Sequence, residues 1–437
     1  MALKLHLISL GCTKNLVDSE IMLGVLKDYQ ITNDTAQADV IIINTCGFIS
    51  SAKEESLSTI LEVHEKRKKS SILCVTGCLT QRYQKELQLE LPEVDIFSGV
   101  GDFDKINKLI ESKQNSYTNK VFLNDENSPR VVSNSTYHAY IKIAEGCNQT
   151  CSFCAIPSFK GKLQSKSLNT IKAEVENLVN DGYFDFTFIS QDSSSYLFDI
   201  GLKDGLIKLI DVVEKISGVR QARILYLYPS TTTTKLIDKI GSSKAFFSYF
   251  DMPLQHISQE ILMKMKRGKG STKIKELLKH MRKYKDSFIR STFIVGYPGE
   301  TKEQFKQLKN FVDEFNFDRV NIFSYSDEEG TNAYNSGDKI KQKTIDKRAK
   351  VLGKVVSKQT KKHLKNMIGK VFDVVVDSTS SEHEYLLSAK LTLWAPQIDG
   401  EILINENHLD EDISIGKIYK AKITNIAGNH LLGTIIK

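Results

Sequence analysis

Three times within the first 78 residues a β-rich apolar run ends in a cysteine that touches a glycine. The run "LKLHLISL" (3–10) leads into Gly11 and Cys12, "DVIIIN" (39–44) into Cys46 and Gly47, and "ILCVT" (72–76) into Gly77 and Cys78. A fourth run, "VDIFS" (94–98), follows, and helical patterns come between the runs. Alternation of strand and helix predicts a parallel sheet covered on both faces, here a flavodoxin-like α/β domain over residues 1–112. Parallel strands end on one edge, where ligands bind, so three cysteines far apart in sequence are expected to meet there. Glycine beside each permits sharp turns and close backbone approach. The alternative is a phosphate- or flavin-binding edge with incidental cysteines. A cysteine at the end of each of the first three strands favours a thiol-lined site. Cys74 differs, because it lies inside a strand and reads as a buried structural thiol. The helix after the second run shows a capping-box pattern, Ser51 and Glu54, with Leu57, Ile60, Leu61 and His64 on one face.

Residues 113–136, rich in Asn and Ser and without a sustained period, read as a linker. Residues 137–365 repeat the strand–helix theme six times, with strands expected at 139–144, 184–190, 222–228, 246–251, 288–296 and 319–325. Six such units predict an open, partial (βα)6 barrel, shorter than the eight of a closed one. A last helix is expected over about 341–365. Residues 366–437 hold about five short strands in alternating pattern, which predicts a small all-β, OB-like barrel.

The 437 residues, 41% hydrophobic and 26% charged, have the composition of a soluble globular protein. The start lacks a signal-peptide pattern, and no apolar stretch approaches the roughly 18–20 residues of a membrane span. A cytoplasmic protein with no membrane partner is expected. Seven cysteines in a reducing compartment read as ligands or buried thiols.

One loop concentrates the remaining thiols. In "EGCNQTCSFCAIP" (145–157), Cys147, Cys151 and Cys154 stand within eight positions. Zinc wants paired cysteines with a second pair further on, and the nearest histidine, His138, is nine residues upstream at a strand start. A 4Fe–4S cubane normally takes four cysteines, so three would leave one iron with open sites. The Cys-x3-Cys-x2-Cys spacing just after the first barrel strand, with Phe153 before the third cysteine, resembles the radical S-adenosylmethionine (SAM) enzymes. That resemblance implies SAM chelated at the open iron and reductively cleaved to a radical that abstracts hydrogen from an unactivated C–H bond. Many such enzymes carry Gly-Gly-Glu after the second barrel strand to hold the SAM amine. Here that place reads "ISQDSSSY" (189–196), which leaves Gln191 and Asp192 as candidate SAM contacts, with a helix-capping turn as the alternative. Phe153 is a candidate of the same kind.

Two cysteine triads and a small C-terminal barrel together resemble, over essentially the whole chain, the methylthiotransferases. The resemblance implies an N-terminal methylthiotransferase domain, a radical-SAM domain and a TRAM domain. It further implies SAM and two 4Fe–4S clusters, one on Cys12, Cys46 and Cys78 and one on Cys147, Cys151 and Cys154. A reductant protein such as flavodoxin or ferredoxin is implied as partner. Within the family, "SLGCTKNLVDSE" (9–20), "IKIAEGCNQTCSFCAIPSFKG" (141–161), "DMPLQH" (251–256) and "FIVGYPGET" (293–301) resemble the RimO-type branch. That branch modifies the β-carbon of an aspartate in the twelfth small-subunit ribosomal protein. The transfer-RNA adenosine branch typically has Gln-Met-Asn at Thr13, Lys14 and Asn15 and favours Arg at Glu145. A non-catalytic, metal-stabilised ribosome-binding protein is the alternative of a different class. No catalytic residue is assigned; His256, beside Gln255, reads equally as a proton carrier or a hydrogen-bonded core histidine.

Charge bears on the substrate. Residues 366–437 hold six lysines against ten carboxylates, a balance that would repel RNA and suit a basic ribosomal protein. Residues 339–365 hold eleven Lys and Arg and one acid, Asp346. Such a run is ordinarily a solvated helix face; the sharper expectation is a contact with ribosomal RNA.

Overall fold

The computed structural model describes residues 2–118, 120–268, 270–380 and 385–437. Its first sheet holds β1 (Lys4–Ser9), β2 (Gln30–Ile31), β3 (Val40–Thr45), β4 (Ile72–Gly77) and β5 (Ile96–Phe97), all parallel, in the order β2-β1-β3-β4-β5. β3 is central and buried at every position, as a near-continuous apolar run must be when both faces are covered. The edge strand β2 was not expected; with two exposed residues it is too short to carry a period. Cys74 is fully buried inside β4, as its position predicted.

The expected capping box is not formed. The helix Ser50–Lys66 begins after Ile49 without a side-chain cap. Its first turn is held from outside the sheet domain instead: the Ser50 N–H donates to Ser326 Oγ at 3.2 Å and its hydroxyl to Glu328 at 3.3 Å. The face turned inward carries Ser56, Ile60 and Val63, while Leu61 and His64 are exposed.

Among the described residues of 113–136 no helix or strand occurs, in keeping with the missing period. The stretch is nonetheless pinned. Arg130 is buried between Glu20 (2.6 Å) of the first domain and Glu174 (2.9 Å) of the barrel.

The second sheet begins with β6 (His138–Lys142). A short hairpin-like pair, β7 (Ala144–Glu145) and β8 (Gln164–Ser165), flanks the cysteine loop. Then follow β9 (Asp185–Ile189), β10 (Gln221–Ile224), β11 (Phe246–Asp251), β12 (Phe288–Val295) and β13 (Arg319–Ser324). Six of these strands run parallel in the order β13-β12-β11-β10-β9-β6, an open sheet with two edges. β10 stops four residues before the expected end, because the backbone turns at Tyr226 with φ +64°, a region that ends extended pairing. The helix Gln342–Lys365 packs beside β13.

The C-terminal strands β14 (Val371–Thr379), β15 (Leu387–Leu391), β16 (Ile402–Asn407), β17 (Ile418–Ala427) and β18 (His430–Ile436) close into a barrel. Its core residues Val374, Trp394 and Ala395 share one apolar cluster with Tyr140, Tyr249 and Phe288 of the larger sheet. Tyr140 donates its hydroxyl to the Pro396 carbonyl (2.6 Å), and Arg223 donates to that of Thr392 (2.7 Å).

Candidate active site

The first cysteine triad meets where β1, β3 and β4 end. Cys12 precedes the first turn of the helix Thr13–Val25, and Cys78 opens the helix Cys78–Arg82. Closeness requires the glycines: a Cβ on Gly11, where φ is +86°, would lie 2.6 Å from Cβ of Cys46. At Gly77, φ +103°, a Cβ would lie 2.4 Å from Oδ1 of Asn44. Asn15 staples the three loops. Its amide donates to the carbonyls of Leu10 (3.1 Å) and Thr45 (2.9 Å), and its oxygen lies 3.6 Å from Cys78 Sγ. Cys12 is exposed, whereas Cys46 and Cys78 are buried. Burial, then the neighbouring Cys12, pushes Cys46 up to about 11. Burial takes Cys78 to about 12.

The second triad occupies the loop after β7. Gly146, φ +76°, has no room for a Cβ, which would fall 2.1 Å from the Lys162 carbonyl. The Cys147 N–H donates to the Gly161 carbonyl at 3.1 Å, closing the loop on itself. Ser152 clamps it to the barrel, donating to the Lys264 carbonyl (2.8 Å) beside the Tyr297 hydroxyl (2.8 Å). Arg267 donates to Cys151 Sγ at 3.4 Å, and the Tyr228 hydroxyl lies 3.7 Å from the same sulfur. Burial pushes Cys147 and Cys154 up to about 11 and about 12.

The other sequence candidates divide. Gln191, just past β9, donates its amide to Glu145, and its Oε1 is buried with no partner among the described residues. Asp192 is already engaged: it accepts from Gln149 (2.8 Å), Ser194 (2.7 Å) and Ser195 (2.5 Å). That is the capping-turn alternative, and it also ties the turn to the cysteine loop. Phe153 packs against Ile261, Met265, Ile294, Tyr297, Tyr325 and Ala333, so its ring anchors the loop in the barrel wall. His256 is fully buried, accepts the Ser258 N–H at Nδ1 (2.9 Å) and faces Glu300 with Nε2 at 3.4 Å. It is a hydrogen-bonded core histidine. Gln255, at φ +72°, pairs through its backbone with Thr292 and Ile294 at the end of β12.

The two triads belong to one assembly. The segment straight after Cys154 crosses over: Ala155 and Phe159 join the apolar cluster that contains Cys78. Behind them lies a fully enclosed ionic group. Lys142 contacts Asp18 and Glu145 (3.0 Å), and Lys160 lies 3.3 Å from Glu145 and 3.7 Å from Asp18. Burial alone would lower Lys160, but Glu145, Cys78, Asp18 and Cys12 together raise it. The ammonium of Lys14 rests 3.9 Å over the Tyr226 ring. A second clamp joins the domains at the rim, where Glu328 accepts from Lys53 (2.9 Å) and Arg82 (2.8 Å).

Sequence reasoning missed Asn15, Lys160, Arg267 and Tyr228 as parts of this site. Cations near cysteines were the available signal, but Arg267 is 116 residues from Cys151 and nothing local pairs them. Among the described residues no three Cys, His, Asp or Glu side chains stand in metal-coordinating geometry. The donor set nonetheless fits an iron–sulfur group: three soft thiols per loop system, each beside fixed positive charge, Lys14 and Lys160 on one side and Arg267 on the other.

Comparison with known proteins decides the family. Residues 4–99 match the Uncharacterized protein family UPF0004, residues 141–312 the Radical SAM superfamily and residues 368–436 the TRAM domain. The ribosomal protein uS12 methylthiotransferase RimO of Aliarcobacter butzleri (strain RM4018) is 58% identical over 99% of this chain and 98% of its own length. The protein of that name from Sulfurimonas denitrificans is 54% identical over 99% of each. The chain belongs to the RimO methylthiotransferase family. It is therefore a radical-SAM enzyme, a class that works with SAM and an iron–sulfur cluster. Its fold is also similar to the radical SAM methyltransferase TsrM from Kitasatospora setae, at TM-score 0.54 and 13% identity, covering 74% of this chain and 73% of that one.

Proposed function

We propose that the chain places a methylthio group on the β-carbon of an aspartate in ribosomal protein uS12, using two 4Fe–4S clusters. Cys12, Cys46 and Cys78 would hold one and Cys147, Cys151 and Cys154 the other. The observation that carries this reading is the junction of the two triads: Ala155 and Phe159, next to Cys154 in sequence, pack in one apolar cluster with Cys78. The name shared by full-length relatives of 52–58% identity supports the substrate.

Residues 1–112, 137–365 and 366–437 act as three domains in this reading, joined by 113–136. When bound, the second-triad cluster and SAM supply the reducing electron and the hydrogen-abstracting chemistry. The chain's own groups prepare that site. Gly146 and Ser152 fix the loop, and Arg267 sets positive charge against Cys151. Gln191, oriented by Glu145, offers the buried acceptor Oε1 to an N–H of SAM. Asp192 acts one step back, holding Gln149 and the turn, and Phe153 holds the loop rather than the ligand. A reductant protein of the flavodoxin or ferredoxin type delivers electrons. The cytoplasm is the expected compartment; among the described residues no helix is long and apolar enough to cross a membrane.

Deleting the gene and comparing ribosomal proteins with transfer-RNA nucleosides by mass spectrometry tests the substrate. Methylthiolation is expected to vanish from uS12 and to persist on transfer RNA. Loss from transfer RNA alone overturns the assignment. Anaerobically purified protein should carry about eight irons, two cubanes' worth, and clearly fewer than this after removal of either triad.

A further inference from the structure

Six lysines run along one side of the helix Gln342–Lys365, and the residues behind them fix the direction in which they point. Ile345, Leu352 and Leu364 are buried on the inner side. Polar anchors lock the rotation. Arg348 donates to the Glu300 carbonyl (2.8 Å) and carboxylate (2.9 Å), and Gln359 donates to the carbonyls of Val312 (2.7 Å) and Asp313 (3.0 Å). His363 Nε2 lies 3.0 Å from Asn316 Oδ1. The outer side carries Lys350, Lys354, Lys358, Lys361, Lys362 and Lys365, all exposed. Gly353 and Ser357 between them leave a shallow open groove with lysines on its sides.

Among the described residues this charge is not neutralised. From Asp346 to Asp373 the sequence holds no acid. The ion pairs of this segment are Lys339–Asp327 and Arg348–Glu300, and among the described residues none involves the six lysines. Lys350, Lys354, Lys358 and Lys362 follow one another at four-residue spacing, as do Lys361 and Lys365, an arrangement of like charges that destabilises a helix on its own. Held on a rigid face roughly 22 Å long, by the helical rise of about 1.5 Å per residue, they form a preset line of positive charge.

The line is also well placed. Near the start of the helix Ile345 packs against Gly296, just past the end of β12 at the active edge. Near its end Leu364 joins the apolar cluster of the small barrel. The lysines thus run down the outer wall from below the active edge towards the TRAM barrel. That barrel, with six lysines against ten carboxylates over 366–437, is the wrong sign for phosphate.

We propose that Lys350, Lys354, Lys358, Lys361, Lys362 and Lys365 form the RNA-docking surface of this chain. They would grip the phosphate backbone of RNA in the small ribosomal subunit while the protein substrate enters the active edge. The choice of a polyanion follows from the helix itself; the choice of ribosomal RNA rests on the uS12 reading.

The test uses the cluster-loaded full chain carrying Lys354→Gln, Lys358→Gln, Lys361→Gln and Lys362→Gln together. Its binding to intact small subunits and to protein-free small-subunit RNA is measured across a salt series. Turnover is measured in parallel on isolated uS12. The expected result is at least a tenfold loss of affinity for both RNA-containing partners near 0.1 M salt. The slope of log K against log salt should become shallower by about 3, at 0.7–0.9 per phosphate contact, with turnover on isolated uS12 unchanged. The matching Lys→Arg variant, which keeps the charge, should bind as the parent does. The exposed Lys275→Gln and Lys279→Gln pair on the helix Gly270–Met281 should change nothing. An unchanged slope overturns the proposal. So does a loss confined to intact subunits, which would mean an acidic protein partner, or an equal loss of turnover on isolated uS12. If the parent chain binds RNA through these lysines yet modifies no uS12, the function reading fails and the docking surface stands.

Discussion

Arg267 donates to Cys151 Sγ at 3.4 Å while its guanidinium lies 4.1 Å from the centre of the Tyr228 ring. A buried cation is thereby fixed against one thiol of the second triad, held on its other face by an aromatic ring. Fixed positive charge near an iron–sulfur group favours its reduced form. Arg267→Met should therefore lower the midpoint potential of that cluster, by on the order of 100 mV for one charge a few ångströms away at an effective dielectric near 20. An EPR-monitored redox titration of the purified variant checks this. Arg267→Lys should recover part of the shift, and an unchanged potential would remove Arg267 from the electrostatics of the site.

The two triads can be separated by single methyl groups. Gly11 and Gly146 both adopt positive φ, +86° and +76°, and each is closed in by the loop it serves. Gly11→Ala should disturb only the site of Cys12, Cys46 and Cys78, and Gly146→Ala only that of Cys147, Cys151 and Cys154. Each variant should lose about half of the iron expected for two cubanes and keep the EPR signal of the other cluster. A variant that loses both signals together would show that the triads assemble as one unit.

Glu145 was legible in the sequence as a mark of substrate choice, yet the structure encloses it completely between Lys142 and Lys160. Burial on its own would raise its pKa; the ammonium groups of Lys160 and Lys142 outweigh burial and hold the carboxyl well below the usual range. A depressed carboxylate stabilises the fold fully above its unfolded pKa, about 4.3, and that contribution fades as pH falls towards the folded value. Parent protein should thus lose stability on acidification below about pH 4.3, and Glu145→Gln should show a shallower loss. Near pH 7 the variant should be less stable by about 3 kcal/mol, the usual cost of leaving buried cations without their partner. Urea unfolding at a series of pH values measures both effects.

How much of this site the sequence disclosed depends on the range of the interactions. Strands such as β3 and β11 are local β-rich runs, and they were placed to within a residue or so. Cysteines at strand ends converge because parallel strands share an edge, which is also a local inference. What was hidden is pairwise and distant. Nothing local to Asp18 or Lys142 pairs them; a helix and a strand 124 residues apart bring them together in the interior. The capping box at Ser51 failed for the same reason: partners on Ser326 and Glu328, far along the chain, took the first turn of that helix. Phe153 stood out through the resemblance carried by the cysteine spacing, and nothing in the sequence marks its neighbours in space, among them Met265 and Tyr325.

Glu328 closes the rim between the first domain and the barrel. It is buried and receives Lys53 at 2.9 Å and Arg82 at 2.8 Å, and Arg82 also donates to the Gly47 carbonyl beside Cys46 (2.8 Å). The clamp therefore bears on the loop of the first triad as well as on the joint. Glu328→Ala leaves two cations facing a site without its carboxylate, a loss of about 3–5 kcal/mol when a buried pair is broken. Hydrogen exchange should rise in the helices Ser50–Lys66 and Cys78–Arg82 and in the β13 exit loop, while the six-stranded sheet stays protected. Lys53→Met and Arg82→Met with Glu328→Met remove the charge on both sides and should restore much of the protection, because well-packed apolar groups can replace an ion pair. If exchange rises equally throughout the barrel, Glu328 supports the whole fold, and the clamp does not act on the joint alone.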